Sequence, residues 1–178
     1  MMIKKMAIKV LGTKKYSFDS IFHKAIEMQT AMGFSGDYLE FGVFQGKSFI
    51  QAYKSFEFFW GKTEVWDKMR FFAFDSFEGI PAPNEIDRKI NGFKGGECYC
   101  SRPEFERNLK QAGLSFKKIE ITEGWYKDTL TAETMRKLDL KAASILHIDC
   151  DLYESSIQAL DFCQPLVRSG TVVGFDDW

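Results

Sequence analysis

The chain has 178 residues, and its 24 Lys and Arg against 25 Asp and Glu leave a net charge of −1. That length suits one domain with a sizeable core, and a charge so near zero carries no electrostatic footprint for nucleic acid. No apolar run reaches the roughly 18 residues of a membrane span and the start lacks a signal-peptide core, so the expectation is a cytoplasmic protein without a membrane partner. Eighteen Phe promise an aromatic interior. Lys4, Lys5, Lys9, Lys14 and Lys15 read as a solvated stretch. A helical lead-in occupies residues 1–36, its helix running from about Phe18 to Met32 with Ser17 as N-cap and Gly33 as stop.

From residue 37 to 178 short β-rich runs alternate with amphipathic stretches, the pattern of βαβ units and a parallel sheet. Tyr38–Phe41 is the first strand, followed by a helix from Gly46 to Trp60. Phe71–Phe74, apolar throughout, reads as a buried second strand. The loop from Ser76 to Ser101 has the length of a lid or binding segment. Ser101-Arg102-Pro103-Glu104 is a capping box opening a helix that stops at Gly113. Lys117–Thr122, Ala143–Ile148 and Thr171–Phe175 complete the strands, with helices from Thr131 to Leu138 and from Glu154 to Cys163. Cys98, Cys100, Cys150 and Cys163 form no pair of metal knuckles and read as free thiols.

In such a sheet ligands bind beyond the carboxyl ends of the strands. Each predicted strand ends there on glycine or polar residues: Glu40, Gly42, Phe44, Gly46 and Ser48 after the first; Asp75 and Ser76 after the second; Glu123, Gly124 and Trp125 after the third; Asp149 and Asp151 after the fourth; Asp176 and Asp177 after the fifth. Gly42 and Gly46 let a backbone approach a ligand, and the following helix N-terminus with Ser48 offers donors to a carboxylate or phosphate. The same glycines suit a tight strand–helix turn equally well. Phe44 stands where a dinucleotide-binding turn would have its second glycine, which argues against NAD. Asp75 is placed to hold ribose hydroxyls, or else to cap a turn. Trp125 and Tyr126 suit either a stacked ring or core packing.

Asp149, Asp151, Asp176 and Asp177 are the densest constellation. Neighbouring parallel strands lie about 4.8 Å apart, so acids at adjacent ends converge and repel unless they share a proton or a cation. All-oxygen ligands suit Mg²⁺, Mn²⁺ or Ca²⁺, and a partly open Mg²⁺ shell would act as Lewis acid and template for a substrate hydroxyl. His147 is two residues before Asp149 and is either a packed histidine or a base.

These segments resemble the macrocin O-methyltransferase family, metal-dependent S-adenosylmethionine enzymes that methylate sugar hydroxyls. The carrying stretches are Tyr38 to Phe49, Phe74 to Pro81, Ile121 to Leu130, His147 to Leu160 and Phe175 to Trp178. The resemblance implies a Rossmann-like α/β class I methyltransferase sandwich of three layers. It implies S-adenosylmethionine bound by Glu40, Gly42, Phe44, Gly46, Ser48, Asp75, Ser76, Glu123, Gly124 and Trp125. It further implies Mg²⁺ held by Asp149 or Asp151 with Asp176 and Asp177, Asp149 or His147 as base, and a lid from Phe77 to Ser101 that selects a sugar-bearing small molecule. The family's fold continues past the fifth strand with a helix and two strands that these residues lack, so the last strand is expected to be a sheet edge, open to a second copy. Two other readings compete: a DxD glycosyltransferase using Asp149-Cys150-Asp151 on a nucleotide sugar, and a shortened methyltransferase-like domain that binds without turnover.

Overall fold

A computed structural model describes residues 20–90 and 92–176. The N-terminal lysines, Ser17 as a cap, and Asp177 as a metal ligand lie outside them. In chain order the elements are α1 (Ile21–Met32), β1 (Asp37–Phe41), α2 (Lys47–Trp60), α3 (Glu64–Lys68), β2 (Phe71–Asp75), α4 (Glu85–Ile90), α5 (Arg102–Gln111), β3 (Ile119–Glu123), α6 (Tyr126–Thr129), α7 (Ala132–Lys137), β4 (Ala143–Ile148), α8 (Tyr153–Cys163) and β5 (Val172–Phe175). All strand pairs are parallel, in the order β3-β2-β1-β4-β5. The order reverses beside β1, which places a crevice at the carboxyl ends of β1 and β4.

Alternation along the strands divides the core. Tyr38, Phe71, Ala73, Ile119 and Ile145 meet Phe22, Ile26, Phe49, Tyr53, Phe56, Phe105 and Leu109 from α1, α2 and α5. Leu39, Phe41, Phe72, Phe74, Leu146 and Ile148 meet Ala159, Phe162 and Cys163 of α8, with Met135 of α7 and Tyr126 of α6 packed beside them. Period-two patterning buries both faces of the sheet, which makes the three layers. The Phe-rich composition is spent here. Phe71 touches the rings of Tyr38, Phe49, Tyr53, Phe56 and Trp66 at centroid distances of 4.7–6.2 Å.

Local chemistry accounts for the helix ends. Ser20 caps α1 by accepting from the His23 amide, and Gly33 (φ +65°) ends it. The cap at Ser20 stands where the chain enters the described α1. Ser101 accepts from the Glu104 amide, completing the N-terminus anticipated for α5. The short helices α3, α4 and α6 have too few residues to show a period. One tertiary tie had no local signal: Gln29, fully buried on α1, donates to the carbonyls of Ser144 (2.7 Å) and Gly170 (2.9 Å) and accepts from the Ser144 hydroxyl (2.6 Å).

Candidate active site

Backbone pairing runs one residue past each strand, and so aligns the site. Gly42 donates to the Phe74 carbonyl (3.0 Å), Asp149 to Phe41 (2.9 Å), Gly124 to Asp75 (2.9 Å) and Asp176 to Ile148 (3.1 Å). Gly42, Gly124, Asp149 and Asp176 therefore stand on one carboxyl edge.

The first turn is fastened by Asp75. Its Oδ2 accepts from the amides of Val43 (2.8 Å) and Phe44 (3.2 Å), and its Oδ1 from Phe77 (2.8 Å). A carboxylate has roughly four lone-pair sites, so one is left for a ligand hydroxyl. The glycines of this turn have packing reasons of their own. Gly42 (φ +80°) lies so close to the β4 loop that a Cβ would fall on the Asp149 carbonyl oxygen and 2.8 Å from its carbon. At Gly46 (φ +83°) a Cβ would meet the Phe105 ring at 2.9 Å. Only Gly42 of the two borders the cavity.

Behind the turn lies a buried polar cluster on the α1/α2 face. Glu40, fully buried, accepts from the Tyr38 hydroxyl and from the Ser48 hydroxyl (2.5 Å). His147 sits opposite Glu40 in the β1/β4 register, with its Nδ1 3.8 Å from the carboxylate and without a hydrogen-bond partner among the described residues. Burial pushes the imidazole down, but Glu40, Asp149 and Asp176 outweigh it and the net direction is upward. Asp149 is pushed up to about 7, first by burial and then by the charge of Asp176. Among the described residues no three His, Cys, Asp or Glu side chains gather closely enough for a metal ion.

A cavity of about 670 Å³ opens over this edge, within the range of small-molecule sites. Its wall includes Gly42, Phe44, Asp75, Ser76, Trp125 and Tyr126 at or just after the ends of β1, β2 and β3, Asp149, Cys150 and Asp151 following β4, and Asn84, Asp87, Glu154, Ser155 and Gln158 from the lid and α8. The anticipated lid is folded. The Ile80 amide donates to Glu97 and the Gly96 amide to Ile80, each at 2.8 Å. The segment then docks on α8 through Asn84 to Glu154 (2.8 Å) and Asp87 to the Tyr153 amide (2.7 Å). Cys98, exposed, stands in the cavity wall near Asp151; burial of its sulfur and that neighbouring carboxylate push the thiol up.

Of the residues singled out from sequence, Gly42, Phe44, Asp75, Ser76, Trp125, Asp149 and Asp151 border the cavity. Glu40, Gly46, Ser48, Glu123, Gly124, His147 and Asp176 are not in its wall. Ser48 is engaged by Glu40, and Glu123 by Arg102 at 3.1 Å. Gly124 (φ +134°) has Thr129 2.9 Å from the place of a Cβ. Asn84 and Asp87 lie within the anticipated lid and Gln158 within the stretch His147 to Leu160, but none was singled out from sequence as an individual site residue; all three border the cavity.

Five parallel strands in this order, helices on both faces, a glycine turn after β1 and an acid after β2 make a Rossmann-like class I methyltransferase fold. Solved structures agree. The O-methyltransferase NovP matches at a TM-score of 0.64 with 26% identity, covering 82% of this chain and 58% of that one. The calicheamicin methyltransferase CalS11 matches at 0.69 with 19% identity, covering 90% and 66%, a likeness of fold alone. Residues 5–178 match the profile of Macrocin-O-methyltransferase (TylF), and the chain belongs to that family.

Curated relatives include the 8-demethyl-8-(2,3-dimethoxy-alpha-L-rhamnosyl)-tetracenomycin-C 4'-O-methyltransferase of Streptomyces olivaceus, 29% identical over 86% of this chain and 57% of its own length. The demethyldecarbamoylnovobiocin O-methyltransferase of Streptomyces niveus is 31% identical over 80% and 53%. The chain thus spans a little over half the length of these relatives. Among the described residues no helix is long and apolar enough to cross a membrane.

Proposed function

We propose that this chain is a single cytoplasmic methyltransferase domain that binds S-adenosylmethionine and transfers its methyl group to a hydroxyl of a sugar or glycosylated small molecule. The observation that carries this reading is the cavity at the switch point, walled by the Gly42 turn, Asp75, Trp125 and Asp149 together. The name of the Streptomyces olivaceus relative, a 4'-O-methyltransferase of a rhamnosyl compound, supports the acceptor class. The ribose hydroxyls would take the lone pair that Asp75 has left, and Trp125 would flank the base. Ser48 and Glu40 support the turn from behind.

The reading includes Mg²⁺, whose ligand set would draw on Asp177 outside the described residues, since among the described ones no three His, Cys, Asp or Glu side chains gather. Asp149, pushed to about 7 by burial and by Asp176, belongs to a carboxylate pair short of positive charge, and oxygen ligands fit a hard divalent cation. Asp149 and Asp176, with Asp177 and Asp151 as further donors, would hold it. When bound, such an ion lowers the pKa of a coordinated hydroxyl. Asp149 would then serve as ligand or as acceptor of the hydroxyl proton, with His147, beside Glu40, as the other candidate base. Sulfonium methyl transfer is a displacement in which alignment supplies much of the rate, so holding donor and acceptor in one walled cavity is the main contribution of the chain. The reading includes a second copy pairing along β5, which stands at the end of the strand order; sedimentation velocity tests that part.

Calorimetric titration with S-adenosylhomocysteine, with and without Mg²⁺, and with UDP-sugars tests the whole. Binding of S-adenosylhomocysteine is expected; binding of a UDP-sugar alone would refute the reading in favour of glycosyl transfer. Binding of cofactor without turnover on any glycoside would leave a binding domain.

A further inference from the structure

The lid carries a second hollow that the reaction just described does not use. It is open, of about 500 Å³, and is lined by Ala82, Pro83, Arg88, Gly92, Phe93 and Lys94. Ala82 also borders the main cavity, so the two adjoin at that residue. Packing within the lid shapes the hollow. A Cβ on Gly95 would stand 3.3 Å from the Ala82 Cα, so the arm bearing Phe93 and Lys94 runs close beside the arm bearing Ala82 and Pro83. Arg88, in the last turn of α4, donates through Nε to the Pro83 carbonyl at 2.8 Å, which anchors its guanidinium at the hollow.

Its charge is the reverse of the main cavity's. Arg88 and Lys94 line it with no acid beside them, and neither forms an ion pair among the described residues. Glu97, whose carboxylate accepts from the Lys94 amide at 3.1 Å, is not in the wall. Six carboxylates border the main cavity, Asp75 and Asp149 among them, against the single Lys127. A phosphate is therefore repelled from the main cavity and drawn to the lid hollow, whereas an uncharged sugar meets no such barrier. A guanidinium fork pairs bidentately with phosphate, and Phe93, half-buried, offers a ring face to a base. The volume is that of a small-molecule site rather than of a lone anion.

We propose that the lid hollow binds a nucleoside diphosphate and that the methyl acceptor is a sugar attached to it: Arg88 and Lys94 hold the phosphates, Phe93 stacks on the base, and the sugar passes Ala82 into the main cavity. This assignment rests on the methyltransferase reading above, which it narrows to one class of acceptor. The two charge fields then set the orientation, since the anionic part of the acceptor fits the hollow and not the cavity.

The test titrates the full chain, saturated with S-adenosylhomocysteine, with uridine diphosphate and with UDP-glucose, followed by amide NMR. Chelator is present throughout, so that no metal bridges a phosphate to the acids. Uridine diphosphate is expected to bind and to shift amides of the lid hollow. Arg88→Gln and Lys94→Gln should each weaken it about tenfold, with an unchanged dissociation constant for S-adenosylhomocysteine. Lys89→Gln removes the same charge from the residue next to Arg88, outside the hollow, and should leave the affinity as it was. UDP-glucose should shift the same lid amides and also those of Ser76 and Cys150 in the main cavity. Failure of the wild type to bind uridine diphosphate overturns the proposal. So does unchanged affinity in Arg88→Gln and Lys94→Gln, an equal loss in Lys89→Gln, displacement of S-adenosylhomocysteine by uridine diphosphate, or UDP-glucose shifts confined to the lid. If the wild type does not bind S-adenosylhomocysteine at all, the methyltransferase reading falls as well; if it does and only the nucleotide results fail, the assignment of the lid hollow alone is wrong.

Discussion

Replacing Gly42 by alanine tests whether the β1 turn is built around the β4 loop. Two costs add. A left-handed residue with a Cβ costs about 1–2 kcal/mol, and Gly42 has φ +80°. The new methyl group also lands on the Asp149 carbonyl, with 2.8 Å to its carbon where ordinary contact begins at 3.4 Å. Relieving that overlap moves the Asp149–Cys150 backbone, and overpacking of this kind costs about 1–3 kcal/mol. The sum is about 2–5 kcal/mol. Gly33 supplies the control, because it is also left-handed (φ +65°) but has nothing within 4 Å of a Cβ, so Gly33→Ala should cost only the first part. Urea unfolding of both variants, with calorimetry for S-adenosylhomocysteine, gives the comparison. Gly42→Ala should be the less stable by about 1–3 kcal/mol and should lose cofactor affinity. Equal stabilities within about 0.5 kcal/mol would refute the claim that backbone proximity, rather than conformation alone, demands glycine here.

Asp149 should titrate with a midpoint near 7 in the metal-free protein, followed by carboxyl-carbon NMR; Asp176→Asn should lower it, and an unmoved midpoint would show that the two acids do not interact. Since the folded value lies above the ordinary 3.8, the stability from keeping Asp149 protonated is full below that value and lost as pH rises through about 7. In chelator the protein should therefore melt lower at about pH 8.5 than at about pH 6, with Mg²⁺ reversing the difference; a flat profile would contradict this. Asp75→Asn, which disturbs two amide contacts at the first turn and one, from Phe77, after β2, should cost about 1–3 kcal/mol in urea and abolish S-adenosylhomocysteine binding. Retained affinity would remove Asp75 from the cofactor site. Phe71→Ala empties the centre of the aromatic cluster and should cost about 3–5 kcal/mol; a loss under about 1 kcal/mol would mean that the cluster collapses around the void.

What the sequence determined by itself was local. Apolar runs ending on Gly, Asp or Glu marked the strands and their order of appearance. Capping residues marked α5, and the glycine and polar residues ending β1, β2 and β4 marked Gly42, Asp75, Asp149 and Asp151, which border the cavity. These features lie within one element, where periodicity and neighbouring residue types carry the information. Strand termini were legible for the same reason, since a change from apolar to polar residues is visible over a few positions.

The tertiary structure decided which of those residues face the cavity. Glu40 and Ser48 look like ligand groups from sequence, yet they satisfy each other behind the turn, because β1 turns Glu40 to the α1/α2 face. Glu123 goes to Arg102 on α5. Asp75 fastens amides 31 and 32 residues earlier in the chain, and Asp87 caps a helix 66 residues later. Partners that far apart are brought together by strand order and by the docking of the lid. No local pattern records either, because the contact exists only after the sheet has placed β4 beside β1.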